Sequence, residues 1–215
     1  MGKYGWVKRG QEEAIYNKLV KAAGGDEDVL RRILSDEVDI SITEKTKKLL
    51  KLLQISSLTL ESTPNPFIVA THIRLNINDS LPEGIPRIGF VEKNFINRFS
   101  NKVEYLPKRE VDFHIHLLTE PSLGGPIIAK LGNITEAGCW FIWTLLCKQY
   151  NGGNGVLLTN GHANLFHIYD VKKKPWVVRV GWHTGERNWG VGVHSVDSSE
   201  EWSAGTQVLS FSQVD

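Results

Sequence analysis

The sequence predicts an α+β protein. An N-terminal helical module (residues 1–55) is followed by a domain (residues 56–215) whose C-terminal antiparallel meander packs on a buried helix. Three observations lead to this prediction. Apolar residues before position 55 recur at helical spacing, and from about residue 56 they alternate with a period of two. Residues 139–147 are apolar on nearly every side, as a helix inside a core must be.

The helical module rests on two apolar stripes and a lysine-rich segment. Residues 10–23 carry apolar side chains at positions i, i+4, i+7 and i+8 of one helical face, and Gly24 with Gly25 ends that helix. Asp26 is a favourable N-cap for a second helix, which begins acidic and ends basic. Residues 43–54 have leucines at helical spacing among lysines. They predict a third helix, although this segment could also lead into the following strand.

Strands are predicted where apolar and polar residues alternate. Residues 56–62, 66–76 and 110–118 show this alternation. Residues 94–101 carry two phenylalanines four positions apart, which is the spacing of one helical face. These segments predict strands interrupted by one short helix, ahead of the buried helix at 139–147.

The C-terminal part predicts an antiparallel meander. Asn160 and Gly161 lie between two apolar runs, and this dipeptide is typical of a type I′ hairpin, in which both central residues have positive φ. Residues 175–183, 188–196 and 206–212 continue the pattern of short alternating strands.

Composition indicates a cytoplasmic protein with its own core. Hydrophobic residues make up 41% of the 215 positions, which is enough to bury a sizeable core. Lysine and arginine (25) nearly balance aspartate and glutamate (24), so any charged partner must meet a local patch. Cys139 and Cys147 are eight positions apart on one predicted helix, about 12 Å, too far for a disulfide. We predict reduced thiols, a cytoplasmic location, no membrane partner and no cofactor.

Four segments resemble, in order and spacing, a family of bacterial proteins of about this length that has no assigned activity. The segments are GGDEDVLRRILSDEV, IGFVEKNFINRF, GVLLTNGHANLF and WGVGVHSV. The resemblance implies an intracellular bacterial protein and assigns no site residues.

A second, local resemblance concerns thiol chemistry. The segments AGCWF, GHANLF and PWVVRVGWH resemble the cysteine helix, histidine strand and tryptophan-rich strand of papain-like proteases. This resemblance implies Cys139 as nucleophile and His162 as base. The chain departs from that pattern, because Val180 stands where the family has its orienting asparagine and no glutamine precedes the cysteine. Packing of Cys139 in the core is the preferred interpretation, and a thiol hydrolase is an alternative.

The HIH motif is a candidate metal site. On a strand, His114 and His116 project from the same face, as paired metal ligands do. No third ligand follows at a motif spacing. Two histidines on the solvated face of a sheet are therefore preferred, and a metal-dependent site is an alternative.

The leading functional hypothesis is a non-catalytic binding or regulatory protein. Local positive charge lies near the front of the chain, in Arg31, Arg32, Lys45, Lys47, Lys48 and Lys51. Such a patch attracts anionic partners even where the total charge is close to zero. We therefore predict that these residues contact a nucleic acid or a protein partner.

Overall fold

The computed structural model describes residues 49–78, 80–106, 110–131 and 138–211. These residues form nine strands and four helices. The strands are β1 (Leu50–Thr59), β2 (Phe67–Ile68), β3 (Ile88–Val91), β4 (Val103–Glu104), β5 (Glu110–Leu118), β6 (Asn164–Tyr169), β7 (Pro175–His183), β8 (Asn188–Ser195) and β9 (Gln207–Phe211). The helices are α1 (Val69–His72), α2 (Lys93–Phe99), α3 (Gly124–Leu131) and α4 (Cys139–Lys148).

Seven strands form one mixed sheet in the order β1-β5-β9-β6-β7-β8-β3. Four neighbouring pairs are antiparallel, whereas β6 with β9 and β3 with β8 are parallel. Strands β2 and β4 form a separate antiparallel pair. After β8 the chain passes back across the sheet, so that β9 lies in the middle of it between β5 and β6.

Each face of the large sheet packs in its own apolar core. Alternate residues of β6 show this, since Phe166 and Ile168 belong to the core around α4 and Leu165 belongs to the core around α3. Ile127 of α3 is fully buried in the second core. The sheet therefore lies between α3 and α4. In the described ranges, no helix is long and apolar enough to cross a membrane.

The predicted buried helix is confirmed by α4, whose first eight residues are all buried. Phe141 is 0% exposed, and its ring lies 5.2 Å from the ring of Phe113, 5.6 Å from that of Phe166 and 4.5 Å from that of Phe211. These partners belong to β5, β6 and β9, which are neighbours in the sheet. Helix α4 therefore packs on the centre of the sheet.

The predicted fold class, a helical module followed by an antiparallel sheet, is wrong. The described residues are mainly a large mixed sheet with few helices. A helical module has no support, because residues 1–48 lie outside the described residues. The meander is correct only for β6, β7 and β8, which are successive antiparallel neighbours. The division of the chain between residues 55 and 56 stays a prediction.

The described end of the predicted third helix is a strand. Strand β1 pairs with β5 from Leu50 opposite Leu118 to Thr59 opposite Glu110. Leucines that stand at helical spacing within a short segment can also line a strand, and partner strands decide between the two outcomes. Ladder formation with β5, which the local pattern does not reveal, accounts for the error.

The predicted type I′ hairpin at Asn160 and Gly161 is also absent. Gly161 has a φ of +92°, whereas Asn160 does not have positive φ, and residues 155–160 form no strand. The segment is held instead by the side chain of buried Asn164, whose Oδ1 accepts hydrogen bonds from Leu158 N–H (2.8 Å) and from the Gln207 amide (3.1 Å). These bonds tie the loop to the first residues of β6 and β9.

Candidate functional site

The turn between β6 and β7 is ordered by one buried carboxylate. Asp170 is 5% exposed and directly follows β6. Its Oδ1 accepts hydrogen bonds from the backbone N–H groups of Lys172 (2.8 Å) and Lys174 (3.0 Å). Its Oδ2 accepts one from the indole N–H of Trp176 (3.0 Å). Because a single side chain accepts hydrogen bonds from two residues of the turn and from Trp176 just after it, the turn is held in one conformation.

This turn, residues 171–174, presents three consecutive lysines to solvent, and we call it the lysine turn. Lys173 has a φ of 59°, a left-handed conformation that is uncommon for a residue other than glycine. The guanidinium carbon of Arg98 lies 3.5 Å from the ring centroid of Trp176, and the Lys174 ammonium lies 5.0 Å from it. These are cation–π contacts. Four cationic side chains therefore gather around this end of β7.

Hydrogen bonds and a nearby positive charge stabilise the ionised form of Asp170. Burial by itself would raise the pKa of the Asp170 carboxyl. The hydrogen bonds from Lys174, Trp176 and Lys172 and the charge of Arg98 outweigh burial, so that the pKa is lowered. Asp170 is therefore ionised at neutral pH and holds the backbone of Lys172 and Lys174 in place.

A cavity of about 290 Å³ opens beside the lysine turn. Its lining consists of Lys102, Val103, Glu104, Tyr105, Gly138, Trp140 and Lys173. Strand β4, the start of α4 and the lysine turn thus meet around it. Tyr105 is 74% exposed and Trp140 is 4% exposed. The cavity therefore combines aromatic surface with both signs of charge.

Glu104 is the buried acid of this cavity, at 8% exposure. Its Oε2 accepts a hydrogen bond from Trp140 N–H (2.9 Å), and its Oε1 lies 2.9 Å from Nζ of Lys102. Lys102 also donates to the carbonyl of Tyr169 (2.7 Å). The N-cap residue of α4, Gly138, has no side chain with which to cap the helix, and Glu104 supplies that acceptor. The positive end of α4 is thus already neutralised.

A close backbone approach at Gly138 shapes the wall of the cavity. A Cβ atom here would overlap the Trp140 ring and would lie 2.8 Å from Oε2 of Glu104. On its other side Trp140 stacks on Phe211, with ring centroids 5.4 Å apart and planes inclined by 28°. The indole is therefore fixed in place.

Cys139, the candidate nucleophile, is 0% exposed at the start of α4. Burial raises the pKa of its thiol well above the ordinary value, and the negative charge of Glu104 adds to the effect. A reactive cysteine requires the opposite, namely a lowered pKa and access to solvent.

His162, the candidate base, lies at the other end of β6 from Cys139. Tyr169, the last residue of β6, is tied through Lys102 and Glu104 to the start of α4. His162 comes just before β6, so the length of that strand, about 17 Å, separates His162 from Tyr169 and the start of α4. Its ring lies against Gly205 instead. The structure does not bring the two side chains together.

We expect both cysteines to resist modification in the native protein. Cys139 is fully buried, and burial raises the pKa of the Cys147 thiol to about 12. Alkylation near neutral pH should proceed at least about tenfold more slowly than in the denatured chain, because the thiolate is the reactive form. Mass spectrometry of timed samples would measure this. Rapid single modification of native Cys139 would contradict the burial described here.

His114 and His116 share one face of β5, with ring centroids 5.9 Å apart and planes inclined by 80°. Nε2 of His116 lies 3.3 Å from Oγ of Ser210. The pKa of His116 is lowered, first by burial and then by His114. In the part of the chain that the structure describes, no group of three histidine, cysteine, aspartate or glutamate residues could hold a metal ion.

Of the six basic residues predicted to contact a partner, Lys51 is exposed on β1. The other five lie outside the described residues: Arg31, Arg32, Lys45, Lys47 and Lys48. Their contact with a partner stays a prediction.

The sequence interpretation missed the lysine turn and the cavity. The local signal was present, since an aspartate, three lysines and a proline lie between two strands and such residues favour a turn. The cavity had no comparable signal, because Tyr105 and Lys173 are far apart in the chain and meet only through the fold.

No protein-family model, curated protein or solved structure matches this chain. Neither resemblance noted in the sequence gains support from these comparisons. Function must therefore be inferred from the arrangement of side chains.

Proposed function

We propose that this protein is a non-catalytic binding protein whose partner is a nucleic acid, contacted through the lysine turn. The observation that carries the proposal is the fixed geometry of that turn. Asp170 accepts hydrogen bonds from the backbone of Lys172 and Lys174 and so orders the turn from which their exposed side chains project. Lysines held on a rigid turn bind phosphates with less loss of conformational entropy than mobile ones.

Local charge supports an anionic partner. Arg98, Lys172, Lys173 and Lys174 lie around one end of β7, and Asp170, the carboxylate that directly follows β6, accepts hydrogen bonds from the turn and from Trp176. The neighbouring carboxylate, Glu104, is paired with Lys102. The exposed charged side chains of the lysine turn are therefore positive, and positive side chains attract phosphate groups.

We propose a cytoplasmic location for the protein. Cys139 and Cys147 are both free thiols in the structure, and reduced cysteines are typical of proteins in a reducing compartment. Nucleic acids are accessible in that compartment.

The test is the salt dependence of binding. Changing Lys172, Lys173 and Lys174 together to Gln should weaken binding to duplex DNA and flatten the slope of log affinity against log salt by up to about three, or about two for a single strand. The reason is that each phosphate no longer neutralised releases no counterions. Fluorescence anisotropy with a labelled oligonucleotide over a series of salt concentrations measures the slope.

The matched control changes the same number of lysines at the site that the sequence predicted. In a second variant, Lys47, Lys48 and Lys51 become Gln, and if the lysine turn makes the contact the slope stays at the wild-type value. A flattened slope in this variant alone would mean that the nucleic acid contacts Lys47, Lys48 and Lys51 and not the lysine turn. Salt-independent binding of a protein, without binding of any nucleic acid, would overturn the proposal.

A further inference from the structure

We infer that the cavity beside the lysine turn holds one unpaired nucleobase with an exocyclic amino group, so that the partner is single-stranded. The inference rests on the proposed function and names its ligand class. Lys173 belongs both to the lysine turn and to the lining of the cavity. A strand whose phosphates lie along the turn therefore has the cavity within reach of one of its bases.

The size of the cavity fits one base. Pockets for drug-sized ligands measure roughly 300–1,000 Å³, and this cavity, at about 290 Å³, is just below that range. It can take a single planar ring with part of its sugar. A base pair is wider, and its hydrogen-bonding edges are engaged by each other, so that a duplex cannot place a base here without opening.

Tyr105 provides the stacking surface. Its side chain is 74% exposed at the rim of the cavity, directly after the buried Glu104. An exposed aromatic ring next to fixed positive charge is the usual arrangement of single-strand binding surfaces, where bases stack on rings and phosphates meet lysines. Trp140 is held against Phe211 and contributes a rigid wall.

Glu104 selects for an amino group. A carboxylate accepts about four hydrogen bonds, and within the described residues Glu104 has one from Trp140 N–H and an ion pair with Lys102. Acceptor capacity therefore remains on Oε1, which is covered in the unbound protein and belongs to a side chain that lines the cavity. Cytosine, adenine and guanine can donate an amino N–H to it, as cytosine N4 does to acidic side chains. Thymine and uracil have no amino group, and their ring N3–H lies between two carbonyl oxygens, which the carboxylate would repel.

The experiment compares labelled oligomers of cytosine and thymine, about twelve nucleotides long and in both deoxy and ribo forms, with a duplex of the same length. Wild-type protein should bind the cytosine strand several-fold more tightly than the thymine strand. Tyr105→Ala should weaken binding of the cytosine strand by about tenfold, because stacking on the ring is lost. The same change should leave the duplex affinity as it was. Tyr105→Phe keeps the ring and should restore the affinity.

Two further variants complete the design. Phe90→Ala removes another exposed aromatic side chain, 53% exposed on β3, and should leave all affinities unchanged. Glu104→Gln should abolish the preference for cytosine over thymine, and its melting temperature shows whether it is folded. If it is not folded, the Tyr105 variants still decide the matter.

The outcomes separate the two proposals. If strands and duplex bind equally, and Tyr105→Ala changes neither, the base pocket is overturned while the lysine turn still binds phosphates. A preference for thymine would also overturn it. If no nucleic acid binds and the lysine substitutions change nothing, the proposed function itself fails.

Discussion

Phe141→Ala should lower the free energy of unfolding by about 3–5 kcal/mol, which is the usual cost of removing a buried phenylalanine. The ring is 0% exposed and contacts aromatic rings from three adjacent strands, β5, β9 and β6. Those partners cannot all move inward to fill the space, because each belongs to a hydrogen-bonded ladder. Urea denaturation followed by tryptophan fluorescence measures the loss. The midpoint should fall while the dependence on urea stays constant.

The matched control is Phe90→Ala, which removes the same side chain from an exposed position on β3. It should change the free energy of unfolding by no more than about 0.5 kcal/mol, as surface substitutions usually do. Equal losses in the two variants would mean that α4 does not pack on the centre of the sheet.

The buried helix was predictable because its signal is local. An apolar stretch as long as residues 139–147, with tryptophan, phenylalanine and isoleucine on every side, has no solvated face to offer, and α4 is buried accordingly. Strands β5 and β7 were predicted for a similar reason, since the alternation in residues 110–118 and 175–183 matches their bounds.

The order of the strands was not predictable in the same way. Strand β9 follows β8 in the chain, but it pairs with β5 and β6, and its bond from the Gln207 amide to Asn164 fixes it there. The alternation within residues 206–212 is identical for a strand at the edge of a meander and for one in the middle of a sheet. Long-range pairing, which no local pattern encodes, therefore decides the position of β9 in the sheet and the formation of β1 as a strand.

The candidate site was missed for a related reason. The charge pattern of the sequence favours the lysine-rich segment before residue 55, most of which lies outside the described residues, whereas the fixed geometry of the lysine turn depends on the fold. Asp170 gives that geometry to the lysine turn through three hydrogen bonds. The value of a basic cluster for binding depends on such support, and an isolated count of lysines does not report it.

Buried His167 should make the stability of the fold sensitive to acid. It lies on β6, on the same face as Leu165, and is 4% exposed. Neither ring nitrogen has a hydrogen-bond partner among the described residues. Burial lowers the pKa of His167 to about 4, because a protonated ring would lie in an apolar surrounding with nothing to compensate its charge.

Stability should therefore fall as the pH is lowered from about 6.5 to about 4. In this window the unfolded chain binds a proton at His167, since the ordinary pKa is 6.5, whereas the folded protein does not. The difference of about 2.5 pKa units corresponds to a loss of about 3 kcal/mol by pH 4. His116, whose pKa is also lowered, adds a loss of the same sign. Asp170 acts in a different window, because its lowered pKa costs stability only below its ordinary value of 3.8.

His167→Leu separates this effect from general acid sensitivity. Leucine cannot titrate and leaves no polar atom unpaired, so that the variant should keep most of its stability between pH 6.5 and 4 and be more stable than wild type at the lower end. Urea denaturation at a series of pH values in this window measures both curves. If the variant loses as much stability as wild type, another group takes up the proton. If it is less stable than wild type at every pH, the His167 ring has a partner that stabilises it, and its burial does not destabilise the fold.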